Sequence, residues 1–246
     1  MRLSAIEEAY GDAVRVHWRA FPLLPDAQPG RRASARTQEG RRRAGADEPR
    51  ASFAPAVPGA ELPASSMPAL TAAKCARAQG RTAFREFHRR LFVAHFQDNL
   101  DIARPEVLWQ LGQDAGLDMR RFREDYGSGP AYQAALADYA EGAAWFGVSA
   151  LPTAIFNEKV SLVGAVSEER YRLLVDWILA GEPGGLIPLE PGPSEQAPGL
   201  SAVETSEPSP ASGAGGTSKA SPGSSVVETS ERAPGSSAVE RKEIER

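Results

Sequence analysis

The last quarter of this chain cannot bury itself, and that limits how much of it can fold. Residues 184–246 are dominated by Pro, Gly, Ser, Ala and Glu, with only scattered aliphatic side chains. The run Pro198-Gly199-Leu200-Ser201-Ala202-Val203-Glu204-Thr205-Ser206-Glu207 returns at Pro222 and begins again at Pro234, offsets of 24 and 12 that imply a twelve-residue unit. Solenoid repeats run to roughly 20 residues or more and carry a firm apolar pattern. This unit buries too little apolar surface to offset chain entropy, so 184–246 is predicted to be a disordered repeat tail. One domain over 1–183 remains.

Within that domain the hydrophobic period changes along the chain. Leu3, Ile6 and Tyr10 recur at helical spacing before Gly11-Asp12. From Val14 to Ala20 apolar and polar residues alternate, the period of a half-buried strand, which Pro22 and Pro25 end. Residues 26–66 have no apolar period and read as an irregular loop. Its arginines, Arg31, Arg41 and Arg50 among them, outnumber its acids, and Phe53 is its lone aromatic. A charge run of this kind reads as a solvated face rather than an arm for phosphate or RNA.

Residues 67–146 read as helical almost throughout. Ser65 or Ser66 caps a helix that Gly80 stops. Phe84, Phe87, His88, Leu91, Phe92, His95 and Phe96 then form one stripe at spacings of three and four. Pro105 suits a first helical turn, and further helices follow over Met119–Tyr126 and Ala131–Phe146. The period then switches. Ala154-Ile155-Phe156 and Val160-Ser161-Leu162-Val163 make a hairpin about Asn157-Glu158-Lys159. Ser167 caps a final helix with Glu168 and Glu169 in its first turn.

Composition removes several function classes. A net charge of -4 argues against a nucleic-acid binder. No run approaches the roughly 18 apolar residues of a membrane span. The first residues hold acids and no apolar h-region, which predicts a cytoplasmic chain. One cysteine, Cys75, excludes an internal disulfide and a Cys-rich zinc site. With only His17, His88 and His95 beside it, no metal or other cofactor is predicted. His88 and His95 read as core or boundary residues, Cys75 as a small buried hydrophobe, and the four tryptophans as packing.

The most specific motif is Gly147-Val148-Ser149-Ala150-Leu151-Pro152-Thr153, running directly into a β segment. Proline cannot donate to a ladder and is tolerated at the start of a strand. Most X-Pro bonds are trans; a cis Leu151–Pro152 bond there would turn the chain and leave backbone groups able to hold an extended substrate.

This run, the hairpin ending in Val163-Gly164-Ala165, and the last helix resemble the C-terminal half of DsbA-like proteins. Ala73 to Gly80, Leu91-Phe92-Val93-Ala94-His95-Phe96, Val107-Leu108 and Ala115-Gly116-Leu117-Asp118 resemble the insert of the FrnE-like branch and of the related 2-hydroxychromene-2-carboxylate isomerases. Val14 through Leu23 is similar to their second strand. The resemblance implies an α/β thioredoxin-like fold with a helical insert over about 67–146, and thiol–disulfide oxidoreduction on a peptide or small thiol. Leu151, Pro152 and Thr153 would bind that substrate, and with the position of Pro152 the resemblance predicts a cis Leu151–Pro152 bond. In the isomerase and transferase branch glutathione would be used; a non-catalytic thioredoxin-fold binding module is the other alternative. The family also opens with a central strand and a C-x-x-C motif, or a serine in its place. Here Met1 falls inside the helix that follows that motif, so the first strand is expected to be missing and no catalytic residue carries over. Thiol exchange by the chain itself is therefore not expected.

Overall fold

The computed structural model describes residues 1–181, so the predicted tail lies outside the described residues. Helix α1 (Arg2–Tyr10) stops where Gly11 takes φ 53°, a left-handed conformation that glycine adopts without a Cβ penalty. The chain then runs extended from Val14.

The alternation over Val14–Ala20 governs burial but does not produce a strand. Val14, Val16 and Trp18 are half-buried and Ala20 is buried, while Arg15, His17 and Arg19 face water. No neighbouring strand pairs with this segment among the described residues. Side chains take its donors instead. The Val16 N–H donates to Glu7 Oε1 at 2.9 Å and the Ala20 N–H to Asp138 Oδ2 at 2.6 Å. Period two fixes which side chains point inward, whereas a ladder also requires a partner backbone.

Residues 26–66 also depart from the expected irregular loop. They contain a helix, α2 (Ala35–Asp47), started by a capping box in which Ser34 and Thr37 satisfy each other's backbone N–H. Only Arg41 of α2 is buried, so no apolar period marks it. A single bridge between Arg32 and Glu61 closes the segment on itself.

Five helices follow: α3 (Met67–Ala78), α4 (Arg81–Phe96), α5 (Pro105–Asp114), α6 (Met119–Ser128) and α7 (Pro130–Ala144). They enclose one core built around Ala72, Cys75, Phe87, Leu108 and Phe122. The α4 stripe is narrower than its sequence spacing: Phe84, Phe87, Leu91 and Ala94 are buried, and Phe92 is 53% exposed. Trp18 reaches this core through Phe84, with ring centroids 5.0 Å apart.

Strands β1 (Thr153–Phe156) and β2 (Val160–Val163) pair antiparallel. Asn157 and Glu158 turn the chain with φ 46° and 59°, and the Lys159 N–H closes on the Phe156 carbonyl at 2.9 Å. Helix α8 (Glu168–Leu179) is capped by Ser167, whose hydroxyl accepts from the Arg170 N–H. A second core gathers Ile6, Leu162, Val166, Tyr171, Leu174 and Val175, with Ala154, Phe156 and Val160 packed on it. One hairpin face therefore rests on α1 and α8, while Ile155 and Val163 stay exposed.

Candidate functional site

Helix α7 delivers the chain to the candidate loop. Trp145 caps its C-terminus, its backbone N–H donating to the Glu141 carbonyl. It is 85% exposed, which corrects the expectation that all four tryptophans pack. Gly147, at φ 59°, reverses the chain, and the Val148 N–H donates to the Gly142 carbonyl at 2.9 Å. Gly142 lies against Phe21, whose Cδ2 would stand 3.3 Å from an added Cβ, so the loop base seats close on the 20–25 segment.

The Leu151–Pro152 bond is cis, as the position of Pro152 and the family resemblance together predict. Thr153 Oγ1 donates to the Ala150 carbonyl at 2.7 Å, tying off the loop. Leu151 and Pro152 are exposed and Thr153 is half-buried. The three predicted residues thus stand together at the start of β1. From Gly142 to Phe156 not one residue is charged, in a chain where 24% are.

The ladder determines which backbone groups face outward. The Gly164 N–H donates to the Pro152 carbonyl at 2.7 Å. Bonds alternate along an antiparallel pair, so Ala154 and Phe156 bond toward β2 while Thr153 and Ile155 turn their N–H and C=O to the opposite edge. Among the described residues no strand occupies that edge. The arrangement offers an extended chain two donors and two acceptors beside exposed Leu151 and Ile155.

Cys75 lies elsewhere, inside the helical core and 1% exposed. Burial, helped by the Asp125 charge, pushes its thiol up to about 12. A nucleophilic thiol needs the opposite shift. His88 is packed among rings, with centroids 4.9 Å from Phe84, 5.3 Å from Trp18 and 5.0 Å from Phe92. Burial, with the N-terminal ammonium second, holds it down at about 4. His95 is also lowered, by burial and then by Arg41. The structure brings none of these into the loop. Among the described residues no three His, Cys, Asp or Glu side chains gather as a metal site, and no helix is long and apolar enough to cross a membrane.

What sequence reasoning missed around the loop is Asp138. It is 6% exposed and holds the Ala20 N–H together with Lys74 Nζ at 2.5 Å. One of two acids on an alanine-rich helix, the other being Glu141, carries no sequence signal for such a role.

The comparisons with known proteins agree with this architecture. A solved structure described as a "putative protein disulfide isomerase" from Nitrosomonas europaea superposes with a TM-score of 0.58 at 17% identity, over 73% of this chain and 89% of that one. At that identity the likeness is one of fold, a thioredoxin-like fold carrying a helical insert. Residues 48–172, more than half of the chain, match the sequence profile of the family described as Thioredoxin, and the chain belongs to that family.

Proposed function

We propose that this protein is a DsbA-like relative whose described residues form the substrate-holding part of a thiol–disulfide oxidoreductase fold. In this reading Leu151, Pro152 and Thr153 take an extended, uncharged peptide or a small thiol, and Cys75 takes no part in exchange. The observation that carries it is the open edge of β1: Thr153 and Ile155 present backbone groups there beside a loop without charge. Support for a binding rather than a catalytic role comes from Cys75, the single cysteine of the sequence, buried and far from thiolate character.

The test is anisotropy of a labelled, extended, neutral peptide titrated with the full chain. Ile155→Pro removes one outward donor while leaving the bonds to β2, because a proline is tolerated where its missing N–H would face away from the ladder. Binding should weaken roughly tenfold, the factor that a loss of about 1.4 kcal/mol produces. Equal binding by a folded Ile155→Pro protein would remove this reading.

A further inference from the structure

Arg41 is a buried cation with no carboxylate partner among the described residues. The residue is 7% exposed, at the middle of α2, and its guanidinium donates to the Ala54 carbonyl at 2.9 Å, Asn99 Oδ1 at 2.6 Å and the His95 carbonyl at 3.1 Å. All three acceptors are neutral, and among the described residues no carboxylate pairs with it. Buried charges are ordinarily paired, because desolvation otherwise costs too much. The neighbouring arginines do not share this condition: Arg42 and Arg43 both lie on Glu39, at 2.8 and 2.7 Å.

A guanidinium has five N–H donors, and three bonds leave the Nε–H and one Nη2–H. Arg41 lines a cavity of about 330 Å³ between α2 and residues 51–55. Gln38, Gly45, Phe53, Pro55 and the Glu39-paired Arg42 are among its other walls, and among the described residues no acid lines it. Gly45 faces Phe53 across this space: a Cβ there would stand 3.6 Å from Phe53 Cδ2, an ordinary contact, and a longer side chain would reach into the volume. The volume lies at the lower end of the roughly 300–1,000 Å³ of ligand pockets.

We propose that this cavity binds a small organic carboxylate with a flat apolar body. Its two oxygens would take the remaining Arg41 donors, a charge-assisted pairing, and its body would lie along Phe53. The carboxylate would give Arg41 the directly bonded anion that it does not have among the described residues. This site is independent of the 151–153 loop and of the reading given to it.

Amide shifts of the full chain titrated with benzoate, benzamide and inorganic phosphate test it. Benzoate should shift Ala51, Phe53 and Ala54 saturably and bind at least roughly tenfold more tightly than neutral benzamide. Gly45→Leu fills the cavity from a half-buried helical position and should abolish those shifts without lowering the melting temperature. Equal binding of benzoate and benzamide would overturn the proposal. So would equal shifts from phosphate alone, saturable shifts that persist in Gly45→Leu, or no saturable shift in the parent chain.

Discussion

Cys75 and His88 show how burial, more than residue type, decides chemistry here. The Cys75 thiol, pushed to about 12, is protonated at neutral pH, and its neighbours Ala72, Phe87 and Phe122 are fully buried. We expect an aromatic disulfide reagent to leave native Cys75 unmodified at pH 7 and to titrate it fully in denaturant. Insulin reduction should be absent in both the parent chain and Cys75→Ser. Activity lost on that substitution would make Cys75 the nucleophile.

For His88 the shift is downward, to about 4, so the folded protein resists protonation that the unfolded chain accepts near 6.5. Its contribution to stability is complete above that unfolded value and is lost as pH falls toward 4. Unfolding midpoints should therefore drop between pH 6.5 and 4. His88→Phe, set among Trp18, Phe84 and Phe92, should flatten that drop. It should not erase it, because His95 is shifted the same way. An unchanged pH profile would place His88 in water.

Between elements, Asp138 replaces the missing ladder. Its carboxylate joins the extended Trp18–Ala20 segment to α3 through Lys74 and to its own helix α7. Lys74 is itself only 13% exposed at its side chain and lies 5.4 Å from the Trp18 ring. Asp138→Ala would leave that ammonium buried without a partner, which typically costs about 3–5 kcal/mol. Urea unfolding should show a loss of that order, and a loss under about 1 kcal/mol would mean that Lys74 finds water instead.

The same region shows what sequence could and could not reveal. Periodicity gave α3, α4, α5, the hairpin and α8, because each buries a face of regular spacing. It gave the faces of residues 14–20 as well, but the partner that makes a strand is not a local property. Helix α2 escaped because it buries an arginine and no aliphatic stripe. The Ser34 and Thr37 capping box was its one local signal. The cis Leu151–Pro152 bond was legible because a proline at the start of a strand has few structural options and the surrounding run resembles a known family. The exposure of Trp145 was not, since it depends on where α7 ends relative to everything else.

Across the domain, the two cores meet different demands. The helical core closes on its own aromatic contacts, Phe87 with Phe122 and Trp109 with Tyr126. The core beneath the hairpin is held to α1 by Arg2, which bonds the Ala165 and Val166 carbonyls at 2.6 and 2.8 Å, Glu48 at 3.1 Å, and the Asp47 carbonyl. This clamp holds the segment after β2, while the outer edge of β1, with Thr153 and Ile155, has no strand beside it among the described residues. In the function proposed for this protein, this edge, and no thiol, takes the ligand. Backbone amide shifts on titration with an extended, neutral peptide test it most directly. The account predicts saturable shifts concentrated at Leu151, Thr153, Ala154 and Ile155, unchanged by Cys75→Ser. Shifts centred on α3 around Cys75, or none in the 151–155 segment, would contradict it.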